Sequence, residues 1–181
     1  MSPVCKCSAF IATSLDGFIA RSDGSLDWLS VVERPGEDYG FEAFYSTVDT
    51  VVLGRKTYET ALGFDSWPYQ GKRCIVLTRD TARVALRGEE FIAGEFTQVL
   101  EYLSKTGARH AYVDGGATIA LALRAEAIAG LTISVIPVLL GSGVPLCPDI
   151  GRDISLELTA QRAYPSGLVQ LCYRPQYRGA R

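Results

Sequence analysis

Arg55, Lys56 and Thr57 follow Gly54 directly after Val51-Val52-Leu53. Two cations and a hydroxyl at one chain reversal are the strongest chemical signal in the sequence. The three apolar residues, two of them β-branched, read as a short buried strand. Gly54 ends it, and the residues beyond form the first turn of a helix, where the leading amides lack partners and the dipole is positive. That combination can cradle an anion, although the same residues would also make a solvated basic helix start. Two further strand ends carry residues that a strand does not need: Leu77-Thr78-Arg79, and Asp114-Gly115-Gly116-Ala117-Thr118-Ile119. The Gly-Gly pair lets backbone approach a phosphate with a helix start behind it; a plain strand-to-helix turn would look the same. Ligands of open α/β sheets gather outside the carboxyl ends of the strands, so three such ends on one edge point to a long polyphosphate ligand. Neither Gly-x-Gly-x-x-Gly nor Gly-x4-Gly-Lys-Ser/Thr occurs, which counts against an ordinary dinucleotide fold or a P-loop.

The elements that must position these residues alternate in type. Strands are predicted over Val4–Thr13, Val48–Leu53, Cys74–Leu77, Ala111–Val113 and Leu131–Leu140, with a short one near Glu90–Ile92. Helices are predicted over Asp38–Ser46, Arg55–Leu62, Phe96–Thr106 and Ala117–Ala129. Phe41, Phe44 and Tyr45 share one face of the first, and Asp38 is placed to cap or charge its start. Ile154–Tyr164 and Gly167–Arg174 alternate around Pro165-Ser166-Gly167 and read as a terminal hairpin. The pattern predicts an α/β fold with a mostly parallel central sheet and an antiparallel C-terminal hairpin. One domain is expected over residues 1–175, with 176–181 a frayed tail.

Composition narrows the function classes. The chain has 181 residues, 48% hydrophobic and 21% charged, with a net charge of −2. No basic footprint suggests nucleic acid, and no apolar run approaches the ~20 residues that span a bilayer. The N-terminus lacks a basic region before an apolar core, so a cytoplasmic location is expected. Five scattered cysteines do not make a disulfide framework, and Cys5 and Cys7 have no second ligand pair with which to bind a metal. His110, the only histidine, sits beside a turn and reads as a solvated or capping residue, so no Ser-His-acid triad and no metal site are expected.

The order of the motifs resembles the dihydrofolate reductase superfamily, closest to stand-alone proteins similar to the C-terminal reductase domain of the bacterial riboflavin deaminase/reductase. The matching segments are Ala12-Thr13-Ser14-Leu15-Asp16-Gly17-Phe18-Ile19-Ala20, Val52–Glu59, Val76–Arg79, Val113–Ile119 and Pro137–Leu146. The resemblance implies a three-layer fold with helices on both sheet faces, a homodimer, and NADPH as cofactor. It implies that Gly54, Arg55, Lys56 and Thr57 meet the phosphates. Leu77, Thr78 and Arg79 would hold the adenosine ribose and its 2′-phosphate. Gly115, Gly116, Ala117, Thr118 and Ile119 would cradle the pyrophosphate, and backbone groups of Ala12 and Ile19 the nicotinamide amide. Hydride transfer is the chemistry of the cofactor, so the lack of a strong nucleophile is no objection.

On the substrate side, Asp38 lies sixteen residues before Gly54, the separation at which dihydrofolate reductases place the acid that holds the pterin. It is the candidate catalytic residue, with the helix cap as its other reading; Asp16 and Asp114 join it as candidate substrate residues. Glu42 and Lys72 depart from the aromatic and arginine expected of a true dihydrofolate reductase, and no zinc deaminase motif is present. The expected activity is reduction of a small heterocyclic, carbonyl or imine substrate, pyrimidine- or pterin-like. A riboflavin-pathway 5-amino-6-(ribosylamino)uracil phosphate reductase, a dihydrofolate reductase, and a non-catalytic nucleotide-binding protein are the other readings.

Overall fold

The computed structural model describes residues 5–177. Strands and helices alternate as β1 (Lys6–Ser14), β2 (Phe18–Ala20), a 3₁₀ helix (Asp27–Val32), α1 (Phe41–Thr47), β3 (Thr50–Gly54), α2 (Arg55–Leu62), β4 (Arg73–Leu77), β5 (Glu90–Ile92), α3 (Phe96–Lys105), β6 (His110–Asp114) and α4 (Gly116–Arg124). The chain then runs through β7 (Ile128–Ile136), β8 (Val144–Pro145), β9 (Ser155–Ala163) and β10 (Val169–Gln176). Eight strands form one sheet in the order β5-β4-β3-β6-β1-β7-β10-β9. The pairs from β5 to β7 are parallel, and β7–β10 and β10–β9 are antiparallel. β2 and β8 pair separately as a small antiparallel ribbon.

The hydrophobic pattern sets three layers. Cys7, Ala9 and Ile11 alternate along β1 towards α3 and α4, where Phe96, Val99, Leu103, Ile119 and Leu123 are buried. Phe10 points the other way, into the cluster that Phe41 and Phe44 of α1 and Tyr58 and Ala61 of α2 cover. Val51, Val52 and Leu53 of β3 are fully buried, and burial of each such side chain stabilises the fold by about 1.5–3 kcal/mol. α3 buries Phe96, Val99 and Leu103 at helical spacing, and Gln98 Oε1 accepts from Glu95 N at 3.0 Å to close its first turn.

Several boundaries differ from the sequence-based expectation. The helix expected from Asp38 starts only at Phe41, because Tyr39 (φ 56°) and Gly40 (φ 80°) are left-handed. The helix expected to run to Ala129 stops at Arg124. Glu126 takes φ 58°, and Ala127 N closes back on Ala122 O at 2.9 Å; tertiary pairing of Ile128 with β1 overrides the helix propensity of the alanines. β7 ends at Ile136, before Pro137, which has no amide to give a ladder. Gln176, expected to fray, pairs with Ser155, and the Tyr177 hydroxyl donates to Ile128 O at 2.8 Å. Val4 of the expected first strand and residues 178–181 of the expected tail lie outside the described residues.

Candidate functional site

Because β3, β6 and β1 are parallel neighbours, their carboxyl ends lie side by side, and two of them turn straight into helices. α2 starts at Arg55 directly after β3, and α4 starts at Gly116 one residue after β6. Gly115 has φ 92°, which L side chains rarely adopt, and a Cβ there would collide with Thr57 Oγ1. A Cβ on Gly54 would lie 2.9 Å from Thr118 Oγ1. The two helix starts are thus clasped reciprocally, each threonine filling the space above the other helix's glycine. Both helices present unpaired leading amides and the positive ends of their dipoles to the same edge.

A second clasp holds the loops on the far side. A Cβ on Gly116 would lie 2.6 Å from Pro145 O and 2.8 Å from Leu146 O, so the β8 segment lies directly on the start of α4. Asp16 ties the β1–β2 turn to that segment. Its Oδ1 accepts from Ser14 Oγ at 2.6 Å and Leu140 N at 3.1 Å, and its Oδ2 from Gly141 N at 2.7 Å. These bonds, led by that from Ser14, hold its carboxyl below the usual range.

Between the clasps lies a cleft of about 700 Å³ whose wall includes Ala12, Ile19, Lys56, Thr57, Asp114 and Gly115. Six residues singled out in the sequence therefore meet in one cavity. The others are placed differently. Gly54, Gly116, Thr118 and Ile119 sit behind the wall, Thr118 and Ile119 buried. Ala117 is exposed at the start of α4. Arg55 is exposed and pairs with Glu59 at 2.9 Å, and Arg83 reaches the same carboxylate at 3.0 Å. Leu77 packs on the core, Thr78 Oγ1 accepts from Asp80 N at 3.2 Å, and Arg79 is exposed beyond the strand end.

The cleft's floor is tyrosine and carboxylate. Tyr112 and Asp114 alternate along β6 and both face it, and Tyr69 closes the side. The Tyr69 hydroxyl donates to Asp114 Oδ2 at 2.6 Å, and that of Tyr112 to Phe10 O at 3.0 Å. Burial pushes the Asp114 carboxyl above its ordinary value, against the opposing bonds from Tyr69 and the Gly115 amide. Burial first, and then the Asp114 charge, push Tyr69 up as well. Burial thus makes the Asp114 carboxyl easier to protonate than a solvated one, with a hydrogen-bonded hydroxyl next to it.

Asp38 is not in this cleft. It is exposed, and its carboxylate accepts from Gly40 N at 2.9 Å and Glu42 N at 2.8 Å across the start of α1. Those amides, that of Glu42 first, hold its carboxyl below the usual range. It borders a neighbouring cavity of about 790 Å³ that meets the cleft at Phe10, Ala12 and Leu29. His110, at the opposite end of β6 from Asp114, lies between Thr47 O (3.2 Å) and Ser8 Oγ (2.9 Å). Lys72 donates to Val48 O at 2.6 Å.

Tyr69, Tyr112 and Glu89 carry functions in the structure that the sequence did not announce. Glu89 is buried and accepts from the Tyr58 hydroxyl, from Leu86 N at 2.9 Å and from Arg87 N at 2.7 Å, anchoring the loop that carries Arg79 and Arg83. Tyr112 had a signal, since it is two residues before Asp114 on a strand and so shares its face. The Tyr69–Asp114 pair, 45 residues apart, had none.

The sequence matches the RibD C-terminal domain family over residues 6–170. Among its relatives, the uncharacterized protein YwjB of Bacillus subtilis (strain 168) is 38% identical over 170 residues, covering 93% of this chain and 97% of that protein. The crystal structure of a Shewanella sp. PV-4 protein named for riboflavin biosynthesis superposes with a TM-score of 0.88 at 34% identity, covering 95% of this chain and 99% of that one. A dihydrofolate reductase of Enterococcus faecalis, complexed with NADP(H), shares the fold with a TM-score of 0.64 at 18% identity, covering 95% and 97% of the two chains. By its motifs, its sheet and this match over nearly its whole length, the chain belongs to the RibD C-terminal domain family, a reductase domain of the dihydrofolate-reductase-like fold.

Proposed function

We propose that this protein is an NADPH-dependent reductase of a small heterocyclic, carbonyl or imine substrate, pyrimidine- or pterin-like, working in the cytoplasm. The observation that carries the reading is the reciprocal clasp of the two helix starts. Thr57 fills the space over Gly115, and Thr118 lies against Gly54. Each glycine leaves room for the opposite threonine, so the two helix starts close on one edge, and the donors they bring to the cleft, leading amides, the Thr57 hydroxyl and Lys56, suit a pyrophosphate. Arg55, Lys56 and Thr57 would hold the phosphates, with the backbone of Gly115–Ile119. Thr78 and Arg79 would take the ribose and its 2′-phosphate, and backbone of Ala12 and Ile19 the nicotinamide amide. When bound, that cofactor supplies a hydride.

The chain's own residues supply position and a proton. Asp16 fixes the turn leading to Ile19. Asp114, kept protonatable by burial and paired with the Tyr69 hydroxyl, donates a proton to the substrate atom that becomes electron-rich. Asp38, exposed and ionised, serves the helix start and not this step. A homodimer through the hairpin accompanies the reading. β9 is exposed along all nine residues, and Leu156, Leu158 and Val169 are exposed on or beside it, an edge that proteins normally cover; a monomeric mass in solution would refute it.

Side-by-side titration with NADPH and NADH tests the cofactor. Tight NADPH and weak NADH are expected, with Arg79→Ala costing NADPH much more than NADH, because only NADPH carries the 2′-phosphate. Equal losses would remove Arg79 from that role, and no binding of either nucleotide would overturn the reading.

A further inference from the structure

Two carboxylates engage arginines in different ways. Glu90 of β5 takes Arg73 of β4 as a fork, Oε1 from Nε at 2.5 Å and Oε2 from Nη2 at 2.9 Å. A bidentate pair of that kind is complete in itself. Glu59 carries two guanidiniums at once. Arg55 Nη1 donates to its Oε1 at 3.1 Å and its Oε2 at 2.9 Å, and Arg83 Nη1 donates to the same Oε1 at 3.0 Å. Each arginine spends one nitrogen, and the Nε and Nη2 of both have no acceptor among the described residues. Two cations therefore converge on one oxygen atom with most of their donors unused.

The fold holds this convergence in place. Arg83 lies on the segment 78–89, which leaves the carboxyl end of β4 beside that of β3. Glu89 ties the far end of the segment to α2, accepting from the Tyr58 hydroxyl as well as from Leu86 N and Arg87 N. The Arg83 guanidinium lies 6.0 Å from the centre of the Tyr58 ring, and its side chain is 29% exposed against 49% for Arg55. Glu59 lines the cleft with Lys56 and Thr57. Two guanidiniums side by side repel, so in the free protein the carboxylate keeps them together. Partial loss of water works against its charge, and the bonds from Arg55 and Arg83 outweigh that and hold its carboxyl below the usual range. Glu59 brings one negative charge to two positive ones, on a side chain 38% exposed, free to turn into water when a stronger acceptor arrives.

We propose that Arg55 and Arg83 form one phosphate-monoester site at the edge of the cleft, and that the Glu59 carboxylate is its resident stand-in, displaced when a dianion binds. The assignment rests on the reductase reading and deepens it. The monoester is then the 2′-phosphate of the cofactor, and Arg83 joins Arg79 in telling NADPH from NADH. A dianion offers both guanidiniums more charge than a carboxylate and matches their planar donors. A 2′-hydroxyl offers no charge and leaves Glu59 in place. Bonds made only in the free protein weigh against binding, so Glu59 lowers affinity for the monoester while keeping its two arginines assembled.

The test is calorimetry at low salt with adenosine 2′,5′-bisphosphate and adenosine 5′-monophosphate, which differ by the 2′-phosphate alone. The parent should prefer the bisphosphate by about tenfold or more. Arg83→Gln should remove most of that preference and leave the monophosphate unchanged. Arg83→Lys, which keeps the charge and loses the fork, should fall between. Glu59→Gln should tighten the bisphosphate by about two- to fivefold, on the scale of exposed ion pairs, and leave the monophosphate unchanged. Melting curves without nucleotide confirm that each variant is folded. A bisphosphate preference absent from the parent, or retained in full by Arg83→Gln and Arg83→Lys, would overturn the site. Weaker bisphosphate binding in Glu59→Gln would overturn the displacement. Titration of the same samples with NADPH and NADH keeps the two readings apart. NADPH selectivity untouched by Arg83→Gln would fail this site and leave the reductase reading standing. A bisphosphate preference that depends on Arg83, without binding of NADPH, would do the reverse.

Discussion

Asp114 and Asp38 border adjoining cavities, yet their surroundings push them in opposite directions. Asp114 ends a buried strand, and the loss of water around it raises its carboxyl above the usual range. Asp38 stands in solvent at a helix start, where the Glu42 and Gly40 amides lower its carboxyl. One environment disfavours the carboxylate and the other favours it. The difference teaches that a proton donor for the proposed reaction is better sought in a desolvated carboxyl, and that a carboxylate at a helix start is recruited to hold backbone.

The largest expected effect separates the two at once. Asp114→Asn keeps an acceptor for the Tyr69 hydroxyl but has no proton to give, so turnover should fall about 10²–10⁴-fold while NADPH affinity is kept. In the parent protein, turnover should fall as pH rises through the raised carboxyl value, and that limb should vanish in the variant. Stability should move the other way. The folded state binds the Asp114 proton more tightly than the unfolded chain, so this group's contribution is complete below the ordinary carboxylate range. It is lost as pH climbs through the raised value. Asn does not titrate, so the variant should melt above the parent at neutral pH, by a margin that shrinks on acidification. Turnover unchanged in Asp114→Asn would break the comparison and remove Asp114 from the chemistry.

How far this contrast could be read in advance follows from which contacts are local. The strand-glycine-helix starts at Gly54 and Gly115 were legible, because apolar runs, glycines and hydroxyls within six residues specify them. The sheet's parallel core and antiparallel end followed from alternation and the hairpin signal. Asp114 was legible as a position and not as an acid, since its raised carboxyl depends on burial beside Tyr69, a partner 45 residues away. Asp38 fitted two readings at equal spacing, and only the left-handed turn at Tyr39 and Gly40, which delays the helix to Phe41, shows its oxygens wrapped on amides. The Ala117–Ala129 expectation failed for the same reason. Alanine's preference for helix is local, whereas the pairing of Ile128 with Cys7 is not.

The smallest expected effect is the sharpest check on the assignment of Asp38. Asp38→Asn retains one oxygen for the helix-start amides and loses the charge that their dipoles favour. The turnover number and NADPH affinity should stay within about twofold of the parent, as for surface changes away from the chemistry. Melting temperature at neutral pH should drop slightly. The sign with pH is opposite to that at Asp114. A lowered carboxyl contributes stability above the ordinary carboxylate range and loses it as pH falls through the lowered value, so parent and variant should converge in acid. A turnover loss of about tenfold or more with an unchanged melting temperature would return Asp38 to the reaction. It would mean that the acid at the helix start, and not the half-buried one at the strand end, faces the substrate.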